Sequence, residues 1–180
     1  DDLVRTGTAS AAAIAWLVDA VRSRRSILVS GGTSSGKTTT LNALAFAIGD
    51  EERIVTIEEA AELRLPQPNV VGLETRPASV EGVGAIDTRT LLRNALRMRP
   101  DRILVGEVRG GEALDMLQAM NTGHDGSLTT AHASSAYRAL LRLETMAMMA
   151  GLELPLAAIQ EQIRRGIDIV VHQERGPDGH

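Results

Sequence analysis

One short segment of the chain carries a pattern of residue types that suits phosphate chemistry. Residues 31–38 read Gly-Gly-Thr-Ser-Ser-Gly-Lys-Thr and contain Lys37, the only lysine among 180 residues. Two glycines, a lysine and a hydroxyl at this spacing are typical of a loop whose backbone N–H groups and ammonium group surround nucleotide phosphates. A lysine is a compact point charge rather than a guanidinium fork, which suits the β- and γ-phosphates. We therefore predict a nucleoside triphosphate site with Thr38 as a ligand of Mg²⁺.

The predicted nucleotide-binding residues are contiguous: Gly31, Gly32, Thr33, Ser34, Ser35, Gly36, Lys37, Thr38 and Thr39. The alternative interpretation is a glycine turn with an accidental lysine. The apolar residues 27–29 before the segment and the helical pattern after it disfavour that alternative, because a phosphate loop joins a strand to a helix.

Acidic residues provide the next requirement, since hydrolysis also needs a magnesium-side carboxylate and a group that orients water. Glu107 follows the apolar run 102–105, so we expect it at the carboxyl edge of the sheet, where ligands bind in open α/β folds. Glu58 and Glu59 follow another apolar run, and one of them should face the nucleotide because neighbouring side chains of an extended segment point in opposite directions. The alternatives are that Glu107 only caps the next helix, and that the two adjacent acids occupy a solvated turn.

Histidines and arginines complete the candidates. His132 ends a predicted strand at the same sheet edge, whereas His124 lies in a glycine-rich turn and is open to a structural role. No zinc-ligand spacing occurs in the sequence. Arginines cluster around Glu107: Arg76, Arg89, Arg93, Arg97, Arg99, Arg102 and Arg109. Three of them form a helical stripe, which is either a solvated face paired with acids or a source of an arginine that reaches a phosphate, within the chain or across a subunit boundary.

Length and composition bound the architecture. The chain is long enough for one domain with a sizeable core, and with one Trp, one Phe and one Tyr that core must be aliphatic. The net charge of −4 argues against a general nucleic-acid-binding surface, and the lack of cysteine excludes disulfides and thiolate metal sites. No apolar stretch is long enough to cross a bilayer, so we expect a cytoplasmic protein with at most peripheral membrane contact.

Strands and helices alternate in the predicted element order that must position these residues. Short apolar runs predict strands at 26–30, 53–57, 102–105, 127–131 and 167–171. Apolar periodicity and capping residues predict helices at 12–21, 37–48, 88–97, 112–120, 135–149 and 155–165. Residues 62–75 are predicted to be extended, as a small hairpin broken by Pro66 and Pro68, and residues 76–86 to form a loop. The alternation predicts an α/β fold with a mainly parallel sheet and helices on both faces.

Four segments together resemble one family of nucleotide-driven motors. They are the phosphate loop, the acid-rich segment 53–63, the segment 94–110 and the histidine segment 122–132. In order and spacing they resemble the type II/IV secretion ATPase superfamily, most closely its CpaF-like branch, which powers tight-adherence pili. This resemblance covers nearly the whole chain and implies a RecA-like P-loop NTPase core that binds ATP and Mg²⁺ in a homohexamer. It also implies an N-terminal domain that is missing here, and the ends at Asp1 and in a polar turn at 176–179 fit a fragment, so that residues 1–180 are expected to be one ATPase domain.

The resemblance implies roles for single residues. Lys37 and Thr38 hold phosphate and magnesium, and Glu107 corresponds to the family's magnesium-side glutamate. Glu58 corresponds to the acid that activates water, and His132 to a histidine that senses phosphate.

Three further residues bear on this site. Arg109 is expected to couple the γ-phosphate to domain motion together with the histidine. Glu59 stands where the family usually has aspartate, so its role stays open. Ser34 stands where the family usually has glycine, and we expect strain of about 1 kcal/mol or more if this position requires a positive φ.

These features predict an ATPase that drives pilus assembly or protein secretion across the bacterial envelope. We expect inner-membrane platform proteins as partners, a location at the cytoplasmic face of the membrane, and no direct contact with nucleic acid. The isolated chain should hydrolyse ATP weakly, because the resemblance places trans-acting arginines in the missing domain. The alternatives are a DNA-translocating or conjugative ATPase of the same fold and a nucleotide-gated scaffold that does not hydrolyse ATP.

Overall fold

A computed structural model describes residues 2–176, and strands and helices alternate along this range. The strands are β1 (Ile27–Gly31), β2 (Ile54–Glu58), β3 (Val70–Glu74), β4 (Arg102–Val105), β5 (Leu128–His132) and β6 (Ile169–Gln173). The helices are α1 (Asp2–Arg5), α2 (Ala11–Arg22), α3 (Lys37–Ala45), α4 (Thr88–Ala95), α5 (Glu112–Asn121), α6 (Ala136–Met148) and α7 (Leu156–Gly166). Apart from the single turn α1, each helix lies within about two or three residues of its predicted bounds.

The strands form one sheet in the order β3-β2-β4-β5-β1-β6, and every neighbouring pair is parallel. Strand β1 lies between β5 and β6, with Gly31 opposite His132 on one side and Gln173 on the other. Because all strands run in the same direction, their carboxyl ends share one edge, and the loops that follow them meet there. The predicted parallel α/β sheet is confirmed.

Helices cover both faces of the sheet, as predicted. Successive strand residues point to opposite faces. In β4, Leu104 packs into a core with α2 and α3, whereas Ile103 and Val105 pack into a core with α4 to α7. Both cores are aliphatic, and the three aromatic side chains, Trp16, Phe46 and Tyr137, are each more than half exposed.

The hairpin predicted between residues 62 and 75 is wrong. Residues 70–74 alone form a strand there, and β3 runs parallel to β2. Gln67 explains the path of the connection, because its Nε2 donates hydrogen bonds to the carbonyl oxygens of Ala45 (2.9 Å) and Ile48 (3.0 Å) at the end of α3. These bonds fix the connection at the end of α3, and the chain then enters β3 at Val70, which lies opposite Ile54 at the start of β2. The loop predicted at 76–86 is present, closed at its base by a bridge between Arg76 and Ile86.

The last strand begins two residues later than predicted. Asp168 precedes the strand, and its carboxylate accepts hydrogen bonds from the backbone N–H of Ser26 (2.8 Å) and from the side chain of Arg25 (3.1 Å). The polar turn predicted at 176–179 lies outside the described residues except for Gly176. Between residues 2 and 176, the helices are all too short or too polar to span a bilayer.

Candidate functional site

The predicted phosphate loop connects β1 to α3 at the carboxyl edge of the sheet. Gly36, with φ of 88°, precedes α3, and no side chain caps the helix, so its first backbone N–H groups are available to an anion. Ser34 has φ of 57°, so the strain expected at this position is present in the structure. A Cβ atom on Gly31 would lie 2.6 Å from the carbonyl oxygen of Gln173, so only glycine fits where the loop leaves β1.

Lys37 is buried beneath this loop. Its Nζ donates a hydrogen bond of 2.7 Å to the carbonyl oxygen of Gly32. Burial lowers the pKa of Lys37, and the charge of Arg109 acts in the same direction, while the negative charge of Glu107 opposes the change. The ammonium group therefore lies within the loop, next to a carboxylate that belongs to the same site.

The two acids predicted to take part in hydrolysis come together through Gly106. A Cβ atom on Gly106 would lie 3.2 Å from Cγ of Glu58, so glycine lets β4 pass close to that side chain. Thr130 fixes the following turn, because its Oγ1 donates to the carbonyl oxygen of Gly106 (2.6 Å) and its own carbonyl accepts from Val108 N–H (2.9 Å). This turn carries Glu107 toward the phosphate loop.

Glu58 is buried, and its Oε1 accepts hydrogen bonds from the backbone N–H groups of Glu62 and Leu63, both at 3.0 Å. The carboxylate therefore orders the segment that follows β2. Glu107 does not cap the next helix, since Glu112 accepts the N–H groups of Arg109 (2.6 Å) and Gly110 (2.8 Å) at its start.

A network of charged groups extends from β2 to the phosphate loop. Nη1 of Arg109 lies 2.8 and 3.0 Å from the two carboxylate oxygens of Glu59, and its Nη2 donates to Glu107 at 2.7 Å. His132 Nδ1 lies 3.4 Å from Glu107, and its Nε2 lies 3.0 Å from the hydroxyl of Thr33. Burial acts to raise the pKa of Glu107, but the hydrogen bond from Arg109 and nearby positive charges outweigh it, so the pKa lies below its ordinary value.

These groups line two adjoining cavities. The larger, of about 460 Å³, is lined by residues 33–39 with Glu107, Arg109 and His132. The smaller, of about 160 Å³, contains Thr38 beside Glu58, Glu59 and Glu107. Among the described residues, four carboxylates and two cations line the pair of cavities. A hydroxyl and carboxylates around one small cavity are ligands that Mg²⁺ prefers, so the residues present fit this ion.

Sequence reasoning brought most of these residues to one site but missed two polar side chains that line the cavities, those of Glu62 and Thr130. The sequence around Glu62 contains no motif that predicts its place in the site, because that place depends on the hydrogen bond from its backbone N–H to Glu58. Thr130 lies inside the buried strand β5, where a threonine gives no indication of function. His124 takes the structural option, with its Nδ1 3.3 Å from the carbonyl oxygen of Ala119 at the end of α5.

The other predicted arginines do not reach this site. Arg89 and Arg93 donate to the two oxygens of the buried Asp115, at 2.7 and 2.8 Å. For both arginines, therefore, the alternative that they pair with an acid holds. Arg102 lies at the opposite end of β4, where it is fully buried and bound to Glu52. Three more line neither cavity: Arg76, Arg97 and Arg99.

Comparisons with known proteins agree with this architecture. The family model described as "Type II/IV secretion system protein" matches residues 2–174. The chain is 44% identical over 177 residues to the putative conjugal transfer protein Rv3659c of Mycobacterium tuberculosis, covering 98% of this chain and 50% of that protein. It is 48% identical over 159 residues to the type IV secretion system protein PtlH of Bordetella pertussis, covering 87% of this chain and 47% of that protein.

A solved structure supports the same relationship. The VirB11 ATPase from the Brucella suis type IV secretion system, in complex with sulphate, superimposes with a TM-score of 0.84 at 38% identity, covering 98% of this chain and 52% of that chain. The predicted RecA-like P-loop core is confirmed by this likeness in fold. The chain spans about half the length of the relatives that it matches.

Proposed function

This chain belongs to the type II/IV secretion system protein family, and we propose that it is the catalytic core of an ATPase motor that drives transport across the bacterial envelope. The observation that carries the proposal is that the phosphate loop, Glu107, Arg109 and His132 line one cleft, the larger of the two cavities. A cradle for phosphates that also holds acids and a cation can do more than bind a nucleotide, because hydrolysis needs groups that orient water and stabilise charge.

The phosphate loop supplies the binding energy in this proposal. Lys37 exchanges the carbonyl oxygen of Gly32, its present acceptor, for oxygens of the β- and γ-phosphates. The uncapped N–H groups at the start of α3 donate to the same phosphates. The similar VirB11 ATPase was solved in complex with sulphate, a tetrahedral anion like phosphate, which is consistent with a protein that binds phosphate groups.

In this proposal, Mg²⁺ and the acidic residues have separate roles in hydrolysis. Mg²⁺ supplies positive charge that offsets the charge on the phosphates, and Thr38 and Glu107 would hold it. Glu58 orients the attacking water beside Thr38 in the smaller cavity. His132 and Arg109 contact Glu107 and face the cleft, so a γ-phosphate that arrives or leaves changes the partners of both.

Phosphate release from ATP tests the proposal, with Mg²⁺ varied and oligomer mass recorded on the same sample. Both this chain and a longer form with the additional length of its relatives should be assayed, because we expect weak turnover from the chain alone. Lys37→Ala should abolish nucleotide binding, while Glu107→Gln should bind nucleotide and lose turnover by about 100-fold or more. Glu62→Gln is the matched control, since Glu62 lines the same cavity but, among the described residues, makes no hydrogen bond or ion pair with Arg109 or His132. Undiminished hydrolysis by Glu107→Gln would refute its role, and binding without release in every oligomeric state would favour the nucleotide-gated scaffold.

What the motor moves is a separate proposal. A CpaF-like role in pilus assembly and a role in protein secretion both follow from the sequence resemblance. A DNA-translocating role gains weight because one similar protein is described as a putative conjugal transfer protein. Stimulation of phosphate release by single-stranded DNA would favour conjugation over the protein-moving roles, which predict no response.

The assembly belongs to the same proposal. We expect a homohexamer bound to inner-membrane platform proteins at the cytoplasmic face of the membrane. Hydrolysis that appears only in a hexameric fraction would support this assembly. Hydrolysis by a monomeric fraction at the same rate would contradict it.

A further inference from the structure

Glu59 lines the smaller cavity and pairs with Arg109, the arginine that lines both cavities among the described residues. We propose that Glu59 is a competing anion that holds Arg109 when no triphosphate is bound and must give it up to the γ-phosphate, so that it weakens ATP binding and not ADP binding. The inference rests on the proposed function, because it assumes that ATP binds in this cleft.

The contacts of Arg109 show two acids in different situations. Glu107 is 20% exposed and contacts both Arg109 and His132, so it is fixed within the site. Glu59 is 61% exposed, and Arg109 is its sole hydrogen-bonding or ion-pairing partner among the described residues. A ligand that competes for Arg109 will therefore displace Glu59 rather than Glu107, because the exposed side chain of Glu59 can rotate toward the solvent.

The position of Arg109 makes it available to a phosphate. Its side chain is 57% exposed and lines both cavities, next to the lysine of the phosphate loop. A guanidinium group binds a phosphate in the same forked geometry with which it binds a carboxylate. Glu59 thus holds, with both oxygens near Nη1, a donor that the terminal phosphate would otherwise use.

The identity of residue 59 sets the strength of this competition. An aspartate is shorter by one carbon–carbon bond, about 1.5 Å. From the same backbone position its carboxylate would fall short of the contacts of 2.8 and 3.0 Å that Glu59 makes. The glutamate is therefore the feature of this chain that lets the competing contact form.

Binding measurements with a non-hydrolysable ATP analogue and with ADP test the inference. Because exposed ion pairs are weak, Glu59→Gln should lower the Kd of the ATP analogue about two- to fivefold, with the gain reduced at high salt. Its Kd for ADP should stay within about 1.5-fold of the parent's, since ADP has no γ-phosphate. Glu59→Asp keeps the charge and should reproduce much of the gain.

Two controls separate this role from a general effect of charge. Glu62→Gln removes a carboxylate from the same cleft, and among the described residues no hydrogen bond or ion pair joins Glu62 to Arg109, so it should favour the ATP analogue over ADP less than Glu59→Gln does. In an Arg109→Ala background, Glu59→Gln should leave the affinity for the ATP analogue unchanged.

The outcomes are distinct. An unchanged or weaker affinity in Glu59→Gln, an equal gain for ADP, or a gain that persists without Arg109 would overturn the inference while leaving the proposed function intact. A parent protein that binds neither nucleotide would remove the proposed function, and the inference with it.

Discussion

Replacement of Arg102 by methionine should lower the free energy of unfolding by about 3 kcal/mol. The guanidinium is 1% exposed, and its Nε and Nη2 donate to the two oxygens of Glu52, both at 2.8 Å. Its Nη1 donates to the carbonyl oxygens of Val21 (2.8 Å) and Gly126 (3.1 Å). Methionine fills similar space but leaves one carboxylate and two carbonyl groups without this donor. Removing one partner of a buried ion pair costs about 3–5 kcal/mol, and Arg24, 3.5 Å from Glu52, keeps the expected loss at the lower end.

Urea unfolding at neutral pH, followed by circular dichroism, measures this loss. Arg165→Met is the control, because Arg165 pairs with Glu161 on the exposed face of α7 and should cost less than about 0.5 kcal/mol. The double variant Arg102→Met with Glu52→Leu should regain part of the stability, since no buried charge then lacks a partner. A loss below about 1 kcal/mol for Arg102→Met, or equal losses at the two arginines, would refute the reasoning.

The pH dependence gives a second readout of the same pair. The hydrogen bond from Arg102 is the main reason that the pKa of Glu52 lies below its ordinary value of 4.5, although burial opposes the shift. A carboxyl group whose pKa is depressed by folding adds stability above its unfolded pKa and loses it as the pH falls through the folded value. The difference between parent and Arg102→Met should therefore be complete above pH 4.5 and shrink below it.

Three other changes have defined outcomes. Ser34→Gly should raise the free energy of unfolding by up to about 1 kcal/mol in a thermal melt, because glycine removes the strain at φ of 57°, whereas Ser34→Ala should bring no gain. Gly106→Ala should displace Glu58 by a few tenths of an ångström and slow phosphate release about tenfold, and unaltered release would argue against a role for that contact. Asp115→Asn should cost about 2 kcal/mol in urea unfolding, because two arginines of α4 lose a charged acceptor, and a cost near zero would show that their bonds add nothing.

The sequence identifies those parts of the site that depend on local pattern. The phosphate loop has a fixed spacing, and apolar runs before Glu107 and His132 place both at the carboxyl ends of strands. Because the sheet is parallel, this alone brings the residues to one edge. Ser34 was also predictable, since its position in the loop requires a conformation that favours glycine.

Interactions between distant segments were beyond reach. The stripe of Arg89 and Arg93 has the same appearance whether it faces a phosphate or an acid, and only the packing of α4 against α5 brings Asp115 between them. The false hairpin has a similar origin, because Gln67 is fixed by the end of α3, which precedes it by about 20 residues.

The order of strands in the sheet also decides when this protein can finish folding during its synthesis. Strand β1, which carries the phosphate loop, pairs with β5 and β6, and both come from the last third of the chain. Pairing between strands far apart in sequence is slow and leaves apolar edges open in the meantime. A nascent chain that stops before Ile169 still exposes one side of β1. The strand that carries the phosphate loop therefore leaves the ribosome before the other strands of the sheet and is among the last to be covered, so we expect premature termination to yield aggregation-prone chains rather than partly folded, stable ones.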